Sequence, residues 1–159
     1  LRAEVRVDHA FADEDGVRRD ARTLVTPRLT CDEPRCTLVC ARPFTGRTHQ
    51  VRRHLKHLSH PVIGDANYGK GALNRAYAAQ YGLARLALHA WTLGLTHPDT
   101  GARLYVVAPL PDDLAAPLAR IFTAEALLQV QSPAHQVAPD SIHRMSAPSA
   151  SSDRGGDPR

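Results

Sequence analysis

The sequence predicts an α+β fold, because segments with the period of a β-strand and segments with the period of an α-helix share one short chain. Its 159 residues are enough for one domain with a core, since a chain of this size buries roughly two-thirds of its unfolded surface. An apolar fraction of 43% and a charged fraction of 23% are ordinary for a globular protein. These values exclude a collagen-like chain and a chain that is disordered throughout.

Three strands are predicted before residue 43. Residues 1–8 alternate apolar and charged side chains, as a half-buried strand does, and turn-forming residues follow at 13–16. A second strand is predicted near Thr23–Leu29, where Pro27 would be confined to a sheet edge or a bulge. The third, Cys36–Arg42, is apolar on both faces, so we expect it in the centre of a sheet.

The first helix is predicted over Thr48–Leu58. Val51, Leu55 and Leu58 fall on one helical stripe, Thr48 can cap the start, and Pro61 closes the segment. A glycine-rich loop at 64–71 follows, and then a short helix over 74–81 that ends at Gly82.

The last third of the chain predicts a hairpin and a further helix. Two apolar runs, 85–96 and 102–108, are joined by a turn that contains proline and glycine. A helix is predicted from Asp112 to about 128, which Pro117 would break unless the helix began just before it. Beyond that point the sequence is polar, rich in proline and without period, and predicts a floppy tail.

Cysteine usage and hydropathy restrict the class of protein. Cys31, Cys36 and Cys40 are an odd number at a C-x4-C-x3-C spacing, which fits neither a paired disulfide framework nor a ribbon-type zinc site. We expect reduced, structural thiols; zinc with a histidine as fourth ligand stays open. The sequence has neither the roughly 20 uninterrupted apolar residues of a membrane span nor a secretory leader, so the expected compartment is the cytoplasm.

The run from Arg42 to His60 is strongly basic. It holds five Arg or Lys residues, four of the nine histidines and no acid, on a chain with a net charge of +4 and 18 Arg against 2 Lys. On a helix its basic face lies opposite the apolar stripe, and backbone N–H groups after Gly46, with Arg47 beside them, would bind an anion such as a backbone phosphate. The alternative is a solvated face of an ordinary amphipathic helix; the absence of acids favours a polyanion.

Nearby residues permit other interpretations. His49, His54, His57 and His60 could form a metal cluster, although only i, i+3 pairs share a face. Gly64–Gly71 approximates the phosphate loop of nucleotide hydrolases but lacks the final hydroxyl residue. Asp65 could be a catalytic acid, although local backbone hydrogen bonds are the more ordinary role. Lys70 and Arg75 would either extend the basic surface or be surface residues only.

Three ordered blocks carry a family resemblance. They are Thr45-Gly46-Arg47-Thr48-His49-Gln50-Val51-Arg52, the run His-Pro-Val-Ile-Gly-Asp-x-x-Tyr-Gly at 60–69, and Arg85-Leu86-Ala87-Leu88-His89-Ala90. Together they resemble the RluA-type family of RNA pseudouridine synthases. The run 52–61 and the Asn74-Arg75 pair are most similar to the branch called tRNA pseudouridine synthase C, and the resemblance covers about residues 5–115.

The resemblance implies a fold, a reaction and site residues. The fold would be a mixed, mostly antiparallel sheet with flanking helices, of which residues 1–128 are the C-terminal portion of the catalytic domain and 129–159 a tail. The reaction needs no cofactor and no metal: an aspartate attacks a flipped-out uridine, and the base detaches, rotates and rejoins through carbon. The partner would be RNA, tRNA or rRNA, and not a membrane.

The resemblance also assigns roles to residues of this chain. Arg52 would pair with the nucleophilic aspartate. RNA-backbone contacts would come from Arg47, His49, Arg53 and Lys56, and the base pocket would be lined by Leu86 or Leu88.

One departure from the family pattern is large. The family's nucleophile lies in a His-Arg-Leu-Asp block, and no Arg-Leu-Asp occurs in these residues; Asp8, Asp13, Asp15 and Asp65 all have other neighbours. We therefore expect a fragment that does not isomerise uridine alone. We also expect Arg52 to be kept for a carboxylate on another stretch of polypeptide, not for an acid of this chain.

Overall fold

A computed structural model of the protein describes residues 1–12 and 15–131. Its elements, in chain order, are β1 (Val5–Asp8), β2 (Phe11–Ala12), β3 (Arg18–Arg19), β4 (Arg22–Cys31), β5 (Cys36–Pro43), α1 (Gln50–His57), α2 (Gly71–Tyr81), β6 (Thr92–Thr96), β7 (Arg103–Val107), α3 (Asp112–Phe122) and α4 (Ala124–Gln131). Residues 129–131, which the prediction gave to the tail, belong to α4. The rest of the predicted tail, 132–159, and residues 13 and 14 of the predicted turn lie outside the described residues.

The described strands pair antiparallel throughout. A three-stranded sheet has the order β1–β4–β5, and β2–β3 and β6–β7 form separate two-stranded ladders. Helices α1, α3 and α4 pack against the three-stranded sheet, which confirms the predicted α+β class with a mostly antiparallel sheet. The sequence does not predict the β2–β3 pair, because two residues per strand are too few to show a period.

A bulge in β4 turns the strand from one core cluster to another. Its register to β5 shifts between Pro27 and Leu29, where Pro27 pairs with Val39 and Leu29 pairs with Leu38. Val25 therefore packs in a cluster with β1 and α1, whereas Leu29 packs against the cluster built by α2, α3 and α4. Proline is tolerated here because it lies at the bulge, as predicted.

The expectation that β5 is a central strand is wrong for the described sheet. The strand pairs only with β4 and lies at an edge. Its two apolar faces have another cause: Leu38 and Cys36 contact the helical cluster, and Val39 contacts the cluster around Val25 on the opposite side. Two cores, one on each side of the sheet, produce the pattern that a central strand would show. The three cysteines are free thiols.

The helices differ from prediction at their ends. The apolar stripe of α1 is confirmed, since Leu55 is buried and Val51 and Leu58 pack against the same cluster. Thr48 is not the cap: the helix begins after His49, which has a left-handed φ of 53° and makes no side-chain capping bond. Helix α2 ends at Gly82 in the left-handed conformation, as predicted.

The predicted break at Pro117 is also wrong. Helix α3 continues through Pro117, which is buried. The helix ends instead at Thr123, and α4 begins at the next residue. Pro117 is in the middle of the helix, and the carbonyl that loses its N–H partner belongs to Asp113, an exposed first-turn residue that water can reach.

The predicted hairpin forms over a shorter span. Residues 85–91 are not a strand, because Ala87 donates its N–H to Ile63 O at 2.8 Å and the segment packs on the glycine-rich loop. Strands β6 and β7 are exposed along their whole length. Among the described residues, no helix combines the length and the apolar character that crossing a bilayer would require.

Candidate functional site

The centre of the candidate site is an ion pair between α1 and the glycine-rich loop. Arg52 donates from Nε and Nη2 to the two carboxylate oxygens of Asp65, each at 2.8 Å. The Asp65 side chain is completely buried and that of Arg52 is 14% exposed. A bidentate pair of this kind fixes both side chains in direction as well as distance.

This pairing corrects the sequence prediction for Arg52. The sequence predicts that Arg52 pairs with no acid of its own chain. In the structure it pairs with Asp65, which belongs to the same chain. The pair uses only one edge of the guanidinium, however, and Nη1 makes no hydrogen bond with any described residue. The Nη1 group of Arg52 can therefore still donate hydrogen bonds to a second carboxylate or another acceptor.

Asp65 is held by its own loop as well. The backbone N–H groups of Asn67 and Tyr68 donate to its Oδ1 at 3.0 and 2.9 Å, which confirms the expected local hydrogen bonds. The Arg52 guanidinium, and then these N–H groups, hold the pKa of Asp65 down to about 2, against the effect of burial. Asp65 is therefore a permanent anion near neutral pH and a poor general acid.

Close backbone approaches fix the loop that carries Asp65. A Cβ on Gly64 would lie 1.9 Å from Arg85 O, and a Cβ on Gly69 would lie 2.2 Å from Asp65 O. Asn74 of α2 accepts from Gly64 N and donates to Asp65 O, both at 2.9 Å. The two glycines are therefore needed for this close backbone packing. No described strand leads into Gly64, as the phosphate loop of a nucleotide hydrolase would require.

Gln50 organises the turn before α1, and sequence reasoning missed it. Its Oε1 accepts from Thr45 Oγ1 at 2.6 Å and from Arg47 N at 3.1 Å, and its Nε2 donates to Arg22 O at 2.8 Å and Thr23 Oγ1 at 3.0 Å. The amide is buried although glutamine normally faces water. Because Gln50 occupies Arg47 N, fewer N–H groups are free for an anion here than the sequence predicted.

Tyr68 is the second residue that sequence reasoning missed. The Arg52 guanidinium lies 5.0 Å and the Lys56 Nζ 5.7 Å from the centre of its ring. His49 contacts the ring edge-on at 5.7 Å, with Nδ1 3.3 Å from the hydroxyl. A lone aromatic residue in a glycine-rich loop was the available signal. Tyr68 brings three of the predicted basic residues around one ring.

The other predicted residues lie around this centre. Arg47 donates from Nε to Asp20 O at 3.2 Å, and Arg53 lies over the Phe11 ring at 4.0 Å. Leu88 is 37% exposed and lines an open depression of about 340 Å³ together with Arg47, His49 and Arg52. Leu86 does not line it, because its side chain packs in the cluster around Val25.

Three of the four histidines of the basic run make different contacts. His54 is buried, with Nδ1 2.7 Å from Thr23 Oγ1 and Nε2 3.2 Å from His9 O. His49 contacts Tyr68, and His57 stacks on His9. Within the described part of the chain, no three potential metal ligands lie together. Burial is the main cause of the lowered pKa of His54.

Comparison with known proteins gives relatives of one kind, although no protein-family model matches the chain. The tRNA pseudouridine synthase C of Salmonella typhi is 50% identical over 116 residues, a match that covers 67% of this chain and 45% of that protein. The ribosomal large subunit pseudouridine synthase D of Nitrosomonas europaea is 51% identical over 78 residues, covering 48% of this chain and 23% of that protein.

A solved structure, human RNA Pseudouridylate Synthase Domain Containing 1, has a similar fold with a TM-score of 0.57. The two chains are 22% identical, and the match covers 82% of this chain and 60% of the human chain. The fold is therefore that of a pseudouridylate synthase domain. By sequence the chain is a relative of the tRNA pseudouridine synthase C and RluA-type enzymes, which confirms the resemblance. It spans less than half the length of these curated relatives.

Proposed function

We propose that this chain is the RNA-binding, arginine-bearing part of an RNA pseudouridine synthase whose substrate is tRNA. The observation that carries the proposal is Arg52, a guanidinium fixed on one edge by buried Asp65 and open at Nη1, beside a depression edged by basic side chains. The 116-residue similarity to a tRNA pseudouridine synthase C supports both the reaction and the substrate. An RNA substrate also makes the cytoplasm the compartment we propose.

The reaction assigns a limited task to this chain. An aspartate that this sequence does not supply attacks the uridine and forms a bond to it, and the bond from sugar to nitrogen breaks. The base then rotates and forms a bond from carbon to the sugar, the bond to the aspartate breaks and frees its carboxylate, and that carbon loses its proton. Arg52 would donate from Nη1 to that aspartate and keep it ionised and oriented. Because Asp65 already fixes the guanidinium, little freedom is lost when the second carboxylate arrives. Leu88 would contact the flipped base.

The test joins the full chain to the portion of the Salmonella typhi relative that this chain does not match. We expect tritium release from tRNA labelled with 5-³H-uridine by this chimaera and only blank release by the chain alone. Arg52→Lys should lower release by roughly 10²-fold or more, because lysine cannot bind two carboxylates in one plane. Arg103→Gln, on the exposed strand β7, is the matched control. A folded chimaera that binds tRNA but releases no tritium would refute the proposal.

A second candidate function is favoured by the missing Arg-Leu-Asp block: RNA binding without catalysis. It predicts that the chain binds tRNA with an affinity that falls as salt rises, by about 0.9 log units per log unit of salt for each duplex phosphate neutralised. A chimaera that turns over would exclude this candidate. A salt slope near zero would count against both functions.

A further inference from the structure

A second depression, of about 320 Å³, lies between α1 and the β2–β3 ladder. Its lining residues are basic or aromatic: His9, Phe11, Arg53, Lys56, His57 and Tyr68. None of them is an acid, and none lines the depression beside Arg52. Tyr68 lies between the two, since its ring contacts both Arg52 and Lys56.

Arg53 gives this depression a fixed positive charge. Its guanidinium lies over the Phe11 ring at 4.0 Å, and both terminal nitrogens donate to Ala12 O at 3.2 Å. A long side chain that is already ordered loses little entropy when it binds a ligand. Lys56 is exposed and adds a second positive charge at the same place, against the ring of Tyr68.

His9 and His57 add a stacked pair of imidazole rings. Their centres are 3.9 Å apart and their planes differ by 17°. The titratable and charged groups around His9 are Asp8 on β1, Arg18 on β3, and Arg53, His54 and His57 on α1. Partial burial, and then the neighbouring His57, Arg18 and Arg53, lower the pKa of His9. A positive charge on His9 is thus unfavourable until an anion enters the depression.

We propose that this second depression binds a phosphodiester of the RNA strand that flanks the target uridine, held by Arg53, Lys56 and a protonated His9. This inference rests on the proposed function, because it assumes an RNA substrate. A strand that placed its target base beside Leu88 would pass Tyr68 and reach the second depression with a neighbouring phosphate. The negative charge of the bound phosphate offsets the repulsion that His57, Arg18 and Arg53 exert on a charged His9, so binding takes up a proton.

The sign of the pH dependence follows from this coupling. His9 is neutral at pH 8 in the free protein and becomes charged in the complex. RNA affinity should therefore rise as the pH falls from 8 to 6, by up to roughly tenfold per pH unit wherever one whole proton is taken up. A contact made only by permanent charges would show no such change.

The test is calorimetric titration of the full chain with tRNA at pH 7 in two buffers of different ionisation enthalpy, which measures proton uptake directly. We expect uptake by the unchanged chain, none by His9→Gln, and unchanged uptake by His60→Gln, whose histidine lines neither depression. The His9→Gln variant keeps the backbone bonds of residue 9 to Ala21 and His54, so it should fold. Lys56→Gln should weaken binding without abolishing proton uptake.

The possible outcomes separate this inference from the proposed function. If tRNA binds and the His9→Gln variant takes up protons as before, the inference is wrong and the proposed function stands. If inorganic phosphate alone causes the same proton uptake and tRNA does not compete with it, the depression is a phosphate site and the RNA assignment is wrong. If the chain and the chimaera both fail to bind tRNA, the inference and the proposed function fall together.

Discussion

At the scale of single residues, the Arg52–Asp65 pair links the stability of the fold to its proposed activity. Asp65 is completely buried and accepts four hydrogen bonds, two from Arg52 and two from its own loop. Removing one partner of such a pair costs about 3–5 kcal/mol, because the other charge is left buried and uncompensated. Arg52 also lines the depression beside Leu88, so loss of the pair would reduce both the stability of the fold and the activity proposed above.

The pair predicts a loss of stability in acid. The pKa of Asp65 falls from 3.8 to about 2 on folding, chiefly through Arg52, so the ionised form stabilises the fold above pH 4. That contribution, about 2 kcal/mol, should be lost as the pH falls from 4 towards 2. Urea unfolding at a series of pH values would measure it, and Asp65→Asn should abolish this part of the pH dependence.

Asp15 provides the control for this experiment. Arg19 and then the Val17 N–H lower its pKa to about 2 as well, but its ion pair with Arg19 is solvent-exposed. Exposed pairs contribute little to stability. Asp15→Asn should therefore leave the acid profile almost unchanged. Equal effects of the two substitutions would contradict the assignment of the acid loss to Asp65.

A methyl group added at Gly64 should have a large effect on the free energy of unfolding. Gly64 has a φ of +77°, and a Cβ there would lie 1.9 Å from the carbonyl oxygen of Arg85. Gly64→Ala should lower the free energy of unfolding by about 3 kcal/mol, from backbone strain and overpacking together. At Gly46 no heavy atom lies within 4 Å of the position that a Cβ would take, so Gly46→Ala should be nearly neutral. Thermal melts of both variants would show whether the loop is as tightly packed as these distances require.

At the scale of elements, the sequence predicts the features that depend on neighbouring residues in the chain and misses those that depend on distant ones. Period identified α1, and turn-forming or helix-ending residues identified the hairpin turn and the glycine that ends α2, because each depends on neighbours in the chain. The edge position of β5 depends on which strands lie beside it, and the role of Gln50 depends on Arg22 and Thr23, far away in sequence. Such contacts leave no periodic signal, so the sequence could not reveal them.

The candidate site likewise has some features that the sequence predicts and others that it does not. The basic face of α1 and its cluster of histidines are visible in the sequence because they lie on one continuous segment. The partnership of Arg52 with Asp65 is not, although each residue attracts notice by itself. The neighbours of Asp65 in sequence indicate only a role in its own loop, and its contact with α1 depends on the close packing of Gly64 and Gly69.

The junction of α3 and α4 gives a prediction at this scale. Thr123 has φ 70° and ψ 148°, a region that essentially only glycine adopts without strain. Thr123→Gly should remove about 1–3 kcal/mol of strain and lose only a few tenths from the Oγ1 that accepts Ala126 N. The variant should therefore melt at a higher temperature than the parent.

Thr123→Ala is the matched variant for this junction. It keeps the strained backbone and loses the cap, so it should be destabilised by about 1 kcal/mol. If glycine and alanine lowered the melting temperature equally, the capping hydroxyl would be the main contribution and backbone strain a minor one.

At the scale of the whole molecule, the β6–β7 ladder is the part with the least support. Cross-strand pairing places Leu93 opposite Val106 and Leu95 opposite Leu104, so these four side chains share one face. They are 59%, 53%, 37% and 40% exposed, in that order. A two-stranded ladder is at best marginally stable alone, and contiguous exposed apolar side chains favour association.

This face predicts self-association of the full chain. In sedimentation experiments we expect oligomers or aggregates that grow with concentration, and a broad thermal transition, because the apolar face is covered only when chains meet. Joining the chain to the unmatched portion of the relative should reduce this association if that portion covers the face. The double substitution Leu93→Ser/Val106→Ser removes one cross-strand pair and should also reduce it. Leu128→Ser changes a single leucine on α4 that is 71% exposed, and it should have little effect. A monomeric parent chain with a sharp melt, or equal effects of the two substitutions, would show that the β6–β7 face does not drive association.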